Sequence, residues 1–416
     1  MPTRLSPTGR KLLAAAAVAA VSWRTSLVFG INLGDVLAVA LLPLTWKAAR
    51  YSRAIGLLML CSLVAIATGL VLMLAAAAEF VIVPSGAMSM VLTAAAIPAG
   101  ACAIIWAAKE LGVDLAAACF TIGLLADASI RAVSLDNPWK FAYGLPTSVL
   151  LLALAHRRGR MTEVVAALVL AAAYLLNDSR SAIGFLLVTT AILLCQAIAS
   201  RTRVHLSPRA ALGAQTSLVA VLGACAVGVV LAASSSGYLG EAARARTATQ
   251  SATSNILTAA RPEMGATFAL LRDRPWGYGA GVAPRYGDIR VAMDGMQALG
   301  YEPNNNYVLH YMLGGGHFEL HSALADLWAA LSIPGLLLGL VVMGLSFVAL
   351  GRTLTTLRSR GWIVFVAVVV AWNCLFGPLS TIVAYMELAV AAAVCLPSVA
   401  RQQQAALGAG EQIERH

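Results

Sequence analysis

Apolar runs near the length needed to cross a bilayer recur from residue 12 to residue 398. Short polar breaks separate them at 47–53, 109–112, 131–140, 156–160, 177–180, 201–209 and 351–361. One long polar run, 234–321, interrupts the series. The pattern predicts helical spans at about 12–30, 31–46, 54–78, 88–107, 113–130, 141–155, 161–177, 181–199, 211–232, 323–350, 362–376 and 379–398. That is an all-α, polytopic bundle of about twelve spans. Its expected division is an N-terminal transmembrane bundle (1–233), a large loop (234–321), C-terminal transmembrane helices (322–400) and a tail (401–416). Lipid demands that backbone polar groups be satisfied within each segment, which leaves helices or closed barrels. The alanine runs at 14–17 and 75–78 are helix material and lack the alternation of a barrel strand.

Within the polar run the chain changes habit several times. Residues 241–261 lack Gly and Pro and read as helix. A second helix is expected over 263–272 after Pro262, a position that tolerates proline. Gly277, Gly279 and Gly281, flanked by Pro275 and Pro284, predict a compact non-helical turn. Residues 299–306 read as turn, 306–313 as a short helix, and 314–316 as a glycine joint before the next span. A connection this long in a membrane protein points to function.

Composition supports this picture. Sixty per cent of residues are apolar and twelve per cent charged, against roughly 25 % charged in ordinary domains. The formal charge of +10 is gathered in alternate short loops and at the termini, which is the positive-inside pattern. An even number of spans then places both termini in the cytoplasm and the long loop outside it. No interleaving of basic and aromatic residues argues for nucleic acid. The seven cysteines lie in apolar segments without CxxC spacing and read as small hydrophobes. The first span is expected to be uncleaved.

The candidate chemistry sits at helix ends and in the loop. Arg180, in NDSRSAIGF, stands at a helix start, the unfavourable end of the dipole for a cation. It pairs either with Asp178 or a lipid phosphate, or with a substrate phosphate suited to its fork of donors. Arg261 reads as a surface charge or a ligand-binding one. Arg272 and Arg274 flank Asp273, and Arg285 and Arg290 follow the glycine turn. That turn lacks the GK[ST] of a nucleotide phosphate loop. His310, His317 and His321 offer either packed or surface imidazoles or a general base. The H-F-E-L-H spacing at 317–321 departs from HExxH, so no metal is expected. Asp35, Asp114, Asp127 and Asp326 lie in or at the rims of spans, where a carboxylate faces a cavity or a partner.

Four stretches, in order, resemble the O-antigen ligases and surface-polysaccharide polymerases of bacterial membranes. They are SRSAIGFLL at 179–187, Arg261 with FALLRDRPWGYGAG at 268–281, the large loop itself, and HSALADLWAALSIPGLLLGLVV at 321–342. The likeness covers about residues 170–376. Ser322 stands where that family often has Asn, and AALSIPG keeps only Gly335 in clear register. The resemblance implies a C-type glycosyltransferase fold in the bacterial plasma membrane. It implies transfer or polymerisation of glycan from a polyprenyl-diphosphate-linked donor onto a glycan or glycolipid acceptor hydroxyl at the outer face, with no cofactor. Arg180 and Arg261 would hold the diphosphate and His321 would be general base. Arg272, Arg274, Arg285, Arg290, His310, His317, Glu302 and Asp326 would meet the glycan or assist. Membrane lipid and other polysaccharide-assembly proteins would be its neighbours. The competing expectation from the residues is a transporter or flippase for a lipid-linked or anionic solute, which predicts internal repeats that the sequence does not show.

Overall fold

Thirteen α-helices have defined bounds in the computed structural model, which describes residues 6–27, 30–177, 179–201, 207, 209–217, 220–221, 236, 261–301, 307–355 and 359–396; the side chains of Arg180, Ser200, Arg201 and His310 fall outside that description. In chain order they are α1 (Pro7–Val21), α2 (Leu33–Ala49), α3 (Arg53–Ala76), α4 (Pro84–Leu111), α5 (Val113–Arg131), α6 (Gly144–His156), α7 (Arg160–Leu176) and α8 (Arg180–Arg201). After the long polar run come α9 (Glu263–Asp273), α10 (Tyr286–Gln297), α11 (Ala323–Thr355), α12 (Gly361–Phe376) and α13 (Leu379–Cys395). A further helical stretch covers 209–217. The only strand-like pairings among the described residues are two isolated bridges, Ser26 with Asn32 and Ile82 with Val282.

The chain is an all-α, multi-pass membrane protein, but the expectation of a twelve-span, C-type glycosyltransferase-like bundle is corrected. Among the described residues five helical segments are long and apolar enough to cross a bilayer: Arg53–Ala76, Pro84–Leu111, Val113–Ser134, Ser181–Ala199 and Ala323–Thr355. The other apolar segments fold as helices of 13 to 17 residues. At 1.5 Å per residue these are roughly 20–25 Å long, short of a hydrocarbon core of about 30 Å. Hydropathy along a sequence does not separate residues that face lipid from residues that face other helices. In α13 every residue from Ile382 to Ala393 is buried, the mark of a helix packed on all sides. The expected span at 211–232 and the expected helix at 241–261 lie largely outside the described residues.

The middle of the bundle is α4 against α2 and α13, with α11 packed on α3, α12 and α13. Gly100 of α4 allows one close approach: a Cβ there would lie 2.5 Å from Cδ of Glu387. Short turns bring the helix ends to two opposite faces. One end gathers Lys47, Arg50, Arg53, Lys109, Arg157, Arg158, Arg160, Arg352 and Arg360. There Glu163 accepts from Arg160 (3.2 Å) and from the Gly361 N–H (2.8 Å), and Asp114 accepts from Arg360 and Trp362 (2.8 Å to the indole). The other end carries the turns at 22–27, 77–83, 132–143 and 377–378, and the described residues between 261 and 322.

That second end is built on the glycine turn. Pro334 cannot donate a hydrogen bond to the turn before it, and Ser332 leaves helical geometry (φ 64°, ψ −161°), so α11 kinks. The kink frees the Ala329 carbonyl, which accepts from the N–H groups of Tyr278 (2.8 Å) and Gly279 (3.2 Å). Ala280 donates to the Gly69 carbonyl of α3 (3.1 Å), and the indole of Trp328 donates to the Pro275 carbonyl (2.9 Å). The turn therefore sits wedged between α3 and α11. Its glycines have φ of 80°, 112° and 68°, a region costly for any side chain. Beside it α9 and α10 pair, with Gly265 facing Gly295, over a core of Leu270, Tyr278, Met296, Met312 and Trp328. Asp288 caps α10 by accepting from the Arg285 N–H at 2.7 Å.

Candidate functional site

Arg261 stands one residue before the proline that precedes α9. Its guanidinium lies over the rings of Trp372 (5.2 Å) and Phe376 (5.4 Å) at the end of α12. Those rings are 4.8 Å apart, and Phe185 of α8 meets Trp372 edge-on at 5.8 Å. No carboxylate pairs with Arg261 among the described residues. A half-buried cation held by aromatic faces within about 6 Å is attracted by their quadrupoles and keeps its N–H donors for another partner.

Two residues on, Glu263 accepts from the Tyr307 hydroxyl at 2.9 Å. Its second oxygen is buried with no hydrogen-bond partner among the described residues. Burial, and then the Glu263 carboxylate, push the Tyr307 phenol well above its ordinary value, while Arg261 pulls it back. Arg261 is thus within electrostatic reach of Tyr307, and the Tyr307 ring lies 6.1 Å from that of His321. The structure brings Arg261, Glu263, Tyr307 and His321 to one place.

His321 adopts a left-handed backbone (φ 54°), uncommon outside glycine though better tolerated by histidine than by most residues. The chain needs that turn to enter α11 at once. Ser322 is the helix cap, accepting from the Ala325 N–H (3.3 Å), and its hydroxyl donates to the Cys374 carbonyl (2.8 Å). This bond fixes the start of α11 beside the aromatic pair that carries Arg261. Serine at this position is accounted for by those two bonds. Asp326, in the first turn of α11, is buried; one oxygen accepts from the Leu320 N–H (2.6 Å) and the other from the Leu379 N–H (2.8 Å). It acts as a clamp between the segment before His321 and the start of α13.

The remaining candidates divide. Arg180 is the first residue of α8, and Phe185, about 7.5 Å further along the axis, touches the Trp372 ring; the Arg180 side chain is outside the described residues. The backbone of His310 lies in a single π-turn at Val308–Met312, its side chain is outside the described residues, and so is all of Glu302. Arg274 and Arg285 clasp the Phe80 ring (4.5 and 3.8 Å) with Glu79 between them (2.7 and 3.6 Å). Arg272 and Arg290 are exposed on α9 and α10 and do not join them. His317 faces Glu319 at 3.6 Å and its Nδ1 meets the Gly315 carbonyl at 3.1 Å. The Glu319 contact holds the His317 imidazole above its ordinary value. Among the described residues no group of His, Cys, Asp and Glu is arranged to hold a metal ion.

A second feature of this end was not anticipated from the sequence. A cavity of ≈ 380 Å³ lies between α4, α13, the described residues between α1 and α2, and the 315–319 segment. Arg24 reaches it from behind, bonded to Asp35 and to Glu387 (2.8 Å), both fully buried. Arg24 falls inside the expected first span at 12–30, yet it stands beyond the end of α1 with partners on α2 and α13. Nothing local in the sequence points to Glu387, which is 363 positions away.

No family model matches the chain, and no curated protein is significantly similar to it.

Proposed function

We propose that the protein is a glycosyltransferase that passes a glycan from a polyprenyl-diphosphate carrier to an acceptor hydroxyl at the outer face of a bacterial plasma membrane, as a polymerase or a ligase. The observation that carries this reading is the Arg261 guanidinium, presented on Trp372 and Phe376 without a carboxylate partner and within reach of His321 through Tyr307. A diphosphate leaving group needs charge stabilisation, which Arg261 supplies with preorganised donors. The incoming hydroxyl needs a base. In the tautomer whose Nδ1–H points to the Glu319 carbonyl (3.4 Å), His321 keeps a lone pair on Nε2. The acceptor oxygen bonds to the anomeric carbon, the bond from that carbon to the phosphate oxygen breaks, the proton goes to His321, and the diphosphate departs against Arg261. Arg180 would join Arg261 at the diphosphate. Arg272 and Arg290, exposed nearby, would meet the glycan.

The concentration of basic residues at the opposite end supports an outward orientation for residues 261–322 under the positive-inside rule. Labelling of an Arg290→Cys variant by a membrane-impermeant thiol reagent in intact cells tests it; labelling only after permeabilisation would reverse the orientation. The function is tested by mixing purified protein with polyprenyl-diphosphate glycan and acceptor. Released polyprenyl diphosphate with a product ladder means polymerase, and one transferred block means ligase. Release that is unchanged in Arg261→Ala and His321→Ala would remove the proposed site.

A second reading, transport of a lipid-linked or anionic solute, draws on the buried Arg24–Asp35–Glu387 group, since ionisable residues inside a bundle commonly mark a pathway. Solute flux into proteoliposomes with no glycan transfer would favour it.

A further inference from the structure

The geometry points to a second binding site, in the cavity beneath the 315–319 segment, that takes one uncharged sugar ring. Its volume, ≈ 380 Å³, falls at the lower end of the roughly 300–1,000 Å³ of small-molecule sites. One wall is α4, where Ser85, Ser89 and Thr93 recur every fourth residue and so share one face. Thr93 is committed to Asp35 (3.1 Å). The hydroxyls of Ser85 and Ser89, and of Ser380 across the cavity at the start of α13, have no hydrogen-bond partner among the described residues. Glu319 adds a carboxylate that is 30 % exposed, and Phe318, stacked on Tyr278 at 4.1 Å, adds an aromatic surface. Val83, Met90 and Val383 complete an apolar lining. Free hydroxyls and a carboxylate set among apolar and aromatic surface match a sugar, which presents hydroxyls at its edge and C–H groups on its faces.

Charge decides which part of a glycan donor or acceptor fits. The lining holds Arg24, His317, Glu319 and Asp326, and Asp35 and Glu387 stand directly behind Arg24. At most two positive charges therefore face four carboxyl groups. Arg24 is bonded to two of those carboxylates and His317 to a third. Among the described lining residues no cation is left for a diphosphate, which is disfavoured here and favoured at Arg261. The two sites divide the substrate by charge: leaving group at Arg261, neutral sugar in the cavity, with the segment that ends in His321 contributing to both. That the sugar belongs to the glycan being transferred rests on the function proposed above; that the cavity binds a neutral sugar does not.

The test uses the full chain in detergent with methyl glycosides of glucose, galactose, mannose and N-acetylglucosamine at millimolar concentration, read by saturation-transfer NMR. At least one glycoside is expected to receive saturation. Ser89→Leu, which fills the cavity, should abolish the signal. Glu319→Gln, which keeps the shape and removes the charge, should weaken binding by roughly tenfold, the loss of one charge-assisted hydrogen bond. If Ser89→Leu lowers the unfolding temperature, Glu319→Gln decides. Arg261→Ala should leave the signal intact. Absence of transfer to every glycoside, or transfer that survives both cavity variants, overturns the proposal. So does protection of the cavity by sodium or tetramethylammonium in place of the glycosides, which would make it a cation site. Glycoside binding without release of polyprenyl diphosphate would keep the sugar site and remove the transferase; release with no glycoside binding would do the reverse.

Discussion

Replacing Asp326 should loosen the proposed site without touching Arg261 or His321. Each carboxylate oxygen of Asp326 accepts one backbone N–H, from Leu320 at 2.6 Å and from Leu379 at 2.8 Å, and the residue is 3 % exposed. In Asp326→Ala both N–H groups, on the buried residues Leu320 and Leu379, lose their acceptor. An unsatisfied buried donor costs about 1–3 kcal/mol, so the pair should cost about 2–6 kcal/mol. Asp326→Asn keeps one acceptor oxygen and turns an amide toward the other N–H, so it should cost about half as much. Equilibrium unfolding in mixed micelles measures the difference. Leu320 immediately precedes His321, so the imidazole should also lose its place, and turnover should fall more than donor affinity. If Asp326→Ala unfolds within about 0.5 kcal/mol of the wild type, a change typical of an indifferent surface site, the clamp is not what positions His321.

Gly279→Ala should unfold the seam between α3 and the glycine turn. The new Cβ would lie 2.5 Å from the Met73 nitrogen at φ 112°, whereas Gly287→Ala, with nothing within 4 Å, should be neutral in the same thermal melt. Trp372→Ala should weaken donor binding by about 0.5–2 kcal/mol through loss of the cation–π contact, seen as a raised KM with a smaller change in kcat. His317 should titrate above 6.5 by NMR and move down in Glu319→Gln, because the carboxylate favours the protonated ring. Since its folded-state value is the higher one, the pair's contribution is complete below pH 6.5 and is lost as pH rises through that higher value.

Local signals were legible where one stretch of chain decides its own shape. Pro262 with Glu263 starts α9, Pro275 stops it, and three glycines between prolines make the wedge against α3 and α11. Helix α10 was equally readable, from Asp288 as capping acid and Ile289, Ala292 and Met296 on one face, yet went unpredicted. Span number was not legible, because α12 and α13 are as apolar as a lipid-facing helix and bury that surface in the bundle. The partners that define the site lie far apart in sequence: Arg261 with Trp372, Glu263 with Tyr307, and Arg24 with Glu387. A residue's type suggests that it needs a partner; only the fold says which.

The central claim is that Arg261 binds a diphosphate, and equilibrium binding of radiolabelled polyprenyl diphosphate to purified protein tests it most directly. Arg261→Ala should weaken binding by roughly tenfold or more, the loss of charge-assisted hydrogen bonds worth about 1.5–3 kcal/mol each, while Arg290→Ala should not. Equal affinity in the wild type and Arg261→Ala would contradict the account.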